Sequence, residues 1–459
     1  MCRWGLLLLL VSVPAAARDR DVSQPPTLTT TRYDENWSMP PHSEQHTRRW
    51  TEALKYVPLG ENAYLTTGID IRLRYESYRA DLGGDATAPG DSYLLVRTIP
   101  YADIHAGRVR GFVQPIAAYA IGVSPSAGPI DQTRLDMLQA FADVRLGGAE
   151  TGSAKGSGVT LRAGRQMLSL GAERLVGTRY GPNVPLAFDG FRALVSTADT
   201  TISLLAVRPV QPSVGTLDDR RSRTKSLWGA YATLPGLDLY YLGYRNRAAN
   251  FASQEGSEVR HTIGTRSYGS AGNWHWNIEG AAQFGRFAGS PIAAWTLGTE
   301  IGRRFPSATL TPDAVIRFNI VSGDRRSGDN RLETFNALFP KGKYFGELSP
   351  VGPYNIVNLN PQVALSLGSD VSASLAGMAY WRYSCGDGVY DVPGNLIRGP
   401  GDTSARFIGK QAEGTLAWQA TPELELSMSL SAFAPGEFIR DTGTAKTIIL
   451  FGLEVSFRL

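Results

Sequence analysis

Eight arginines recur at equivalent positions of segments in which apolar and polar residues alternate: Arg72, Arg74, Arg97, Arg145, Arg162, Arg192, Arg317 and Arg382. The guanidinium group is permanently charged and binds carboxylates through paired hydrogen bonds. Eight such groups on one face of neighbouring segments predict a path for anions. The alternative is that these arginines pair with acidic residues of the same face and brace a wall: Asp70, Glu76, Asp143 and Glu279.

The segments that carry these arginines have the two-residue period of a β-strand, in which successive side chains point to opposite faces. Residues 447–459 are typical, because Ile449, Phe451 and Leu453 alternate with smaller or polar residues. We count eighteen such segments between residues 64 and 459. A charge on a lipid face costs about 2 to 4 kcal/mol at the bilayer midplane, so the polar face must point inward. The sequence predicts an all-β protein, a transmembrane antiparallel β-barrel of about eighteen strands.

The connections between these segments alternate in length. Those after even-numbered strands are mostly short, such as Pro235-Gly236, and those after odd-numbered strands are mostly long. Short periplasmic turns and long extracellular loops are the signature of barrels in the outer membrane of Gram-negative bacteria. Both ends of the barrel are therefore expected in the periplasm. The longest loop covers residues 323–354.

The loop at residues 169–187 has the composition of a constriction inside the pore, because it is rich in Gly, Pro and Arg. An ordinary surface loop is the alternative. The candidate residues of this constriction loop are Arg174, Arg179, Asn183 and Asp189. Arg165, just before it, falls on the lipid-facing parity, which predicts either a rim position or a bulge.

The chain divides into three parts. Residues 1–17 have the charged start, apolar run and small-residue site of a signal peptide. Residues 18–63 are polar and predict a periplasmic N-terminal extension, and residues 64–459 form the barrel. The mean hydropathy of -0.16 and the 50 glycines fit a barrel with a wet lumen, and no internal run approaches the length of a transmembrane helix.

Several motifs resemble those of the alginate export porin family. The longest runs from Gly164-Arg165-Gln166 through Arg174-Leu175-Val176-Gly177 to Phe188-Asp189-Gly190, and others include Asp34-Glu35-Asn36-Trp37-Ser38 and Pro435-Gly436-Glu437-Phe438. The resemblance implies an eighteen-stranded outer-membrane barrel and passive export of an anionic polysaccharide through an arginine-rich pore. The segment from Ser322 to Pro340 resembles the broader branch of the family more than the alginate secretors, which also have a longer turn than the one near residue 421. The final Leu459 differs from the Phe or Trp at which such barrels commonly end.

These observations predict an outer-membrane porin for anionic solutes, with export of an acidic exopolysaccharide such as alginate as the specific hypothesis. An import porin for small acidic or aromatic nutrients is the alternative. An enzyme is disfavoured, because there is no G-x-S-x-G motif and His105, His261 and His275 have no evident nucleophile. Asp324 and Asp329 could bind a hard cation, but solvated loop charges are the favoured interpretation.

We expect no cofactor and no metal. The expected partners are outer-membrane lipid and an anionic polysaccharide or small acidic solute, with periplasmic export components as a further candidate. The net charge of +4 argues against nucleic acid.

Overall fold

Eighteen antiparallel strands form one closed sheet in the computed structural model, which describes residues 26, 28–38, 50–80, 90–147, 157–251, 254–326 and 329–459. They are β1 (Ala63–Arg79), β2 (Asp91–Ala106), β3 (Val109–Ile121), β4 (Thr133–Leu146), β5 (Gly158–Met167), β6 (Ala187–Ser196), β7 (Thr201–Gln211), β8 (Lys225–Leu234), β9 (Leu237–Phe251), β10 (Gln254–Ala271), β11 (Trp274–Phe287), β12 (Ser290–Arg304), β13 (Asp313–Val321), β14 (Ile356–Ser366), β15 (Val371–Arg382), β16 (Phe407–Gln419), β17 (Leu424–Pro435) and β18 (Ile448–Arg458). Each strand pairs with its neighbours in sequence, and β18 pairs with β1 from Asp70↔Arg458 to Arg79↔Ile449. The predicted barrel of eighteen strands is confirmed.

Smaller elements surround the barrel. A short strand, Val57–Gly60, pairs with the start of β1, and Arg220–Arg221 extends the end of β7. Val389–Tyr390 and Leu396–Arg398 form a small hairpin in the loop after β15. The helices are the 3-10 turns Arg32–Asp34 and Trp50–Leu54 and the helix α1 (Glu437–Asp441). Among the described residues, none of the helices has the length and apolar character needed to cross a membrane.

The two faces of the wall have the inverted polarity that a membrane barrel requires. Phe191 and Leu375 point outward and are 70% and 63% exposed, whereas Asp70 and Arg97 point inward and are 3% and 1% exposed. Because lipid, not water, covers the outer face, the exposed apolar residues are favourable there. The sequence pattern thus sets the orientation of each strand.

The connections mostly follow the predicted parity, but after the odd-numbered strands β9 and β11 the next strands begin within three residues, at Gln254 and Ser290, where long loops were expected. The turns after β8 and β10 are two residues long, and Gly236 and Gly272 adopt φ values of +72° and +56° in them. Such left-handed values favour glycine because it has no Cβ. The connection after β12, expected to be a two-residue turn at Phe305-Pro306, instead covers residues 305–312 because β13 begins only at Asp313.

The signal peptide predicted for residues 1–17 lies outside the described residues. Within the predicted extension, residues 28–38 and 50–62 are described and lie at the periplasmic end of the barrel, where Tyr33 and Arg32 contact inward-facing side chains of the wall.

Candidate functional site

Within the described part of the chain, three segments lie inside the lumen and contact its inward-facing side chains. They are the N-terminal segment (residues 28–38), loop L3 (residues 168–186) and loop L7 (residues 322–355, of which 327 and 328 are not described). Tyr33 of the N-terminal segment, Val176 of L3 and Phe335 of L7 are all less than 5% exposed. Several inward-facing arginines of the wall contact these segments.

Arg72 and Arg97 hold L3. Arg72 donates hydrogen bonds to the carbonyl oxygens of Gly181 and Pro182 at 2.8 and 2.9 Å. Arg97 donates to the carbonyl of Tyr180 at 3.0 Å, and its guanidinium lies 4.2 Å from the centre of the Tyr180 ring. Both arginines are almost fully buried, so L3 crosses the lumen at the level of the middle of β1 and β2.

Arg74 holds L7. Its guanidinium donates to Glu347 of L7 at 2.8 Å and to Glu454 of β18 at 3.0 Å, and it also contacts Glu76. Burial by itself raises the pKa of Glu347, but Lys343 and Arg74 together lower it to about 2. Glu347 is therefore ionised at any physiological pH, and the contact is a network of charged hydrogen bonds.

Arg162 holds the N-terminal segment. It forms a bidentate pair with Asp143 at 2.8 Å, and its guanidinium lies 4.3 Å from the ring centre of Tyr33 and 3.8 Å from that of Phe141. The Tyr33 hydroxyl donates to the carbonyl of Met167 at 2.6 Å. Tyr33 is thus enclosed by a cation, aromatic rings and a backbone acceptor.

Arg145, Arg192 and Arg317 are only half-buried. Arg192 donates to the Ser203 hydroxyl at 2.7 Å and forms no ion pair within the described part of the chain. Arg145 lies one residue from the periplasmic end of β4, and the described residues provide no hydrogen-bond or ion-pair partner for its side chain. Arg317 pairs with Glu300 at 2.6 Å and keeps 28% of its side chain exposed.

Arg382 has a different environment from the other predicted residues. It is fully buried at the extracellular end of β15, where its three guanidinium nitrogens donate to backbone carbonyls that include those of Pro400, Thr403 and Ala405. Phe438 of α1 stacks on it at 4.0 Å. Its donors thus hold extracellular loops together and are not available to solute.

The four residues assigned to a constriction loop separate into two groups. Arg174 donates to Asn319 at 2.6 Å, Arg179 to the carbonyl of Pro340 at 3.1 Å, and Asn183 to three backbone carbonyls, the shortest being that of Asp131 at 2.8 Å. These three belong to L3, which lies inside the barrel. Asp189 does not belong to the loop, because β6 begins at Ala187 and its alternation points Asp189 outward.

Asp189 pairs with Arg165. The two side chains form a bidentate contact at 2.8 and 3.2 Å, two residues from the extracellular end of β5. The pair joins neighbouring strands, because Arg165 of β5 lies opposite Asp189 of β6. On its other side, Arg165 lies opposite Ala140 of β4. This rim position is one of the two predicted for Arg165.

Sequence reasoning missed other inward charges. Arg260 pairs with Glu258, and Arg266 with Asp238 at 2.6 Å, and all four side chains are almost fully buried. Their even numbers on β9 and β10 place them on the inward parity, so alternation alone could have found them. The role of Tyr33 had no such signal, because it precedes the barrel.

Among the described residues, one acidic trio brings ligand atoms within 4.8 Å of one another: Asp136, Asp218 and Asp219. Asp136 already accepts a hydrogen bond from the amide of Asp219 at 3.0 Å and lies 3.6 Å from Arg165. Burial, together with the nearby Asp136, raises the pKa of Asp219 to about 6. Asp324 and Asp329, considered as cation ligands above, are not part of this trio.

The family model described as alginate export matches residues 63–451, which is nearly the whole barrel. The chain belongs to the alginate export family. The arginines that bind L3, L7 and the N-terminal segment are therefore features of an alginate export family barrel. No curated protein sequence matches the chain significantly.

Solved porins share the architecture of this alginate export family member. OccK2 of Pseudomonas aeruginosa in complex with glucuronate is 12% identical with a TM-score of 0.58, covering 86% of this chain and 98% of its own. OccAB1 of Acinetobacter baumannii is 12% identical with a TM-score of 0.57, covering 86% and 97%. A BenF-like porin of Pseudomonas fluorescens is 11% identical with a TM-score of 0.57, covering 86% and 98%. At these identities the likeness concerns the fold, which is that of an outer-membrane porin of Gram-negative bacteria.

Proposed function

We propose that this porin-like barrel passes anionic solutes across the outer membrane, and that uronates and acidic oligosaccharides such as alginate fragments are its cargo. The observation that carries the proposal is Arg192, a half-buried cation on the inner wall that is bonded only to the neutral Ser203 among the described residues. A cation that is not paired with a carboxylate attracts anions into a pore.

Arg145 and Arg317 extend this positive surface. Arg145 lies at the periplasmic rim, and Arg317 remains partly exposed beside Glu300. The other inward arginines are engaged by loops or acidic residues and contribute to the wall. Family membership supports an anionic polysaccharide as cargo, and OccK2, a porin of the same fold, has been crystallised with glucuronate, which is a uronate.

A second candidate is uptake of small acidic or aromatic nutrients. L3 and L7 both lie within the lumen and are bound to the wall through Arg72, Arg97 and Arg74. A lumen occupied by two anchored loops favours small solutes over a long polymer. Both candidates share the anionic selectivity, and passive flow follows the gradient in either direction.

Reversal potentials in planar bilayers test the proposal. Under a salt gradient the wild-type protein should prefer chloride to potassium, and Arg192→Gln combined with Arg145→Gln should reduce this preference. Arg303→Gln is the matched control, because Arg303 lies on the outer face and stacks on Trp274 and Phe305. A wild-type pore with clear cation preference would contradict the proposal.

Glucuronate or an oligouronate added to one side should inhibit the chloride current at a lower concentration than neutral glucose does. Benzoate, tested in the same way, separates the two candidates. Inhibition by benzoate together with no effect of oligouronate would favour the nutrient porin.

A further inference from the structure

Three arginines form a row on the outer surface of the barrel, which we call the basic row: Arg208 of β7, Arg245 of β9 and Arg286 of β11. Arg245 and Arg286 are both paired in register with Val259 of β10. On β8, Leu227 is paired with Val207, so the preceding Ser226 lies opposite Arg208. On its other side, Ser226 is paired with Arg245. Every second strand thus carries one arginine, with about 10 Å between neighbouring arginine positions.

The charges of the basic row are available. All three side chains are exposed, and none of them forms an ion pair within the described part of the chain. Arg286 makes one long hydrogen bond, to the carbonyl of Gly289 at 3.5 Å. Asp189, the cross-strand neighbour of Arg208, is engaged by Arg165. The row is therefore a surface with three uncompensated positive charges.

A row of aromatic rings lies directly below the basic row. Trp228, His261 and Phe284 occupy the register row two residues closer to the periplasm, and Tyr241 adjoins them. His261 stacks on Phe284 at 5.3 Å between ring centres, and its Nδ1 lies 2.8 Å from the Tyr241 hydroxyl. Such polar aromatic belts mark the boundary between hydrocarbon and headgroups.

The basic row lies in the extracellular half of its strands, with Arg245 six residues from the end of β9. Arg208 is three residues from the end of β7, and Arg286 is one residue from the end of β11. Strands of such barrels tilt by about 35 to 45°, so the row is inclined to the membrane plane. Long arginine side chains in this part of the wall can reach the headgroups of the outer leaflet, on the extracellular side of the aromatic rings. The outer leaflet of a Gram-negative outer membrane consists of a glycolipid with phosphate groups on its sugar headgroup.

We propose that the basic row is a binding surface for the phosphate groups of this outer-leaflet glycolipid. Arginine binds phosphate through two parallel hydrogen bonds, and the planar group suits a fixed position on a rigid strand. Three such groups on alternate strands, with rings below them to contact the sugar and the first methylenes of the acyl chains, form a surface for one phosphorylated lipid headgroup. This binding is separate from solute passage, because the row and the lumen are on opposite faces of the wall.

Native mass spectrometry of the full chain in detergent tests the proposal. The probes are lipid A with both phosphates and the same lipid A with its phosphates removed. We expect the wild-type protein to bind the phosphorylated form about tenfold more tightly, which corresponds to about 1.4 kcal/mol and is the order expected for one or two charged hydrogen bonds. Equal binding of the two lipids would overturn the proposal without any variant.

The variant Arg208→Gln, Arg245→Gln, Arg286→Gln should reduce the preference for phosphorylated lipid A to within about twofold. The double variant Arg303→Gln, Arg304→Gln is the matched control, because both arginines lie at the periplasmic end of β12. This variant should retain the preference for phosphorylated lipid A. Heat-modifiable migration on gels checks that each variant is a folded barrel. Undiminished preference in a folded triple variant would place the phosphate site elsewhere, and Arg245→Gln alone gives the same test if the triple variant does not fold.

Discussion

The hydroxyl of Tyr180 in L3 donates a hydrogen bond of 2.6 Å to Asp70 of β1. Asp70 also lies 3.5 Å from Arg97 and 3.3 Å from Arg458, so one carboxylate joins L3 to three strands of the wall. The loop is thus anchored both by its carbonyls and by this side chain. Asp70 and Arg458 face each other across the seam between β1 and β18, which places the anchor of L3 where the barrel closes.

Replacing Tyr180 with Phe should loosen L3. A hydrogen bond to a charged group contributes about 1.5 to 3 kcal/mol to stability. After its loss, Asp70 is held only by Arg97 and Arg458 and no longer by L3. We expect faster amide hydrogen exchange in residues 168–186 and a noisier single-channel current. Tyr119→Phe is the control, because Tyr119 is exposed on the outer face of β3. If both variants behave like the wild type, the side chain is not an anchor.

Removing the ring of Tyr33 should release the N-terminal segment. Loss of a buried aromatic side chain typically costs about 3 to 5 kcal/mol, and here Tyr33 packs on Phe112, Phe141 and Arg162. Tyr33→Ala should therefore increase the conductance in planar bilayers. Asn36→Ala, at an exposed position of the same segment, should leave it unchanged. An unchanged conductance in Tyr33→Ala would show that the segment does not limit flow.

Docking of the residues next to β1 should depend on pH through Lys55. Burial lowers the pKa of this lysine to about 7, with a further contribution from Arg32, and its ammonium group contacts the Tyr101 hydroxyl at 2.8 Å. A free lysine has a pKa near 10.5. Docking therefore releases a proton from Lys55 when the pH lies between about 7 and about 10. Docking is therefore strongest at high pH, weakens as the pH falls from about 10 to about 7, and is constant below that.

A spin label at position 38, in a chain with Cys385→Ser, reports this docking. Its mobility should increase as the pH is lowered from 10 to 7. In a Lys55→Met variant, which cannot be protonated, the mobility should not depend on pH. Greater mobility at high pH would reverse the sign and contradict the assigned environment of Lys55.

Trypsin added to intact cells should cut L7 only within its exposed part. Arg325, Arg326 and Arg331 are exposed, whereas Lys341 and Lys343 are half-buried inside the lumen. Mass spectrometry of the fragments should show cleavage after the arginines and not after the lysines. Arg108, exposed in the turn after β2, should remain uncut until the outer membrane is permeabilised. Early cleavage after Lys341 would place L7 outside the barrel, and cleavage after Arg108 would invert the topology.

Alternation was sufficient to predict the strands and the facing of most charges. Arg72, Arg74, Arg97 and Arg162 are inward and buried, as their parity requires. The same parity indicated the acidic partners of three of them on the wall, Asp70, Glu76 and Asp143. Their contacts with L3, L7 and the N-terminal segment could not be predicted, because these segments are irregular and have no period that would indicate their path. Asp189 was misassigned for a related reason, since the point at which an irregular loop becomes β6 leaves no pattern in the sequence.

The basic row shows a second feature that the sequence alone does not predict. Arg208, Arg245 and Arg286 are individually visible as outward charges, but their alignment in one row depends on the register of five strands. Register follows from turn lengths and bulges, such as the irregularity between β3 and β4 at Gln114 and Pro115. One residue of slip in a hairpin changes which side chains are neighbours.

Arg32 of the N-terminal segment donates a hydrogen bond of 2.9 Å to the carbonyl of Leu459, the residue that follows β18. Leu459 in turn exchanges backbone hydrogen bonds with Ile69 of β1. The acceptor for Arg32 is therefore in place only after the last strand has joined the first. This hydrogen bond can therefore form only in a closed barrel, so docking of the N-terminal segment is completed after the last strand has paired with the first.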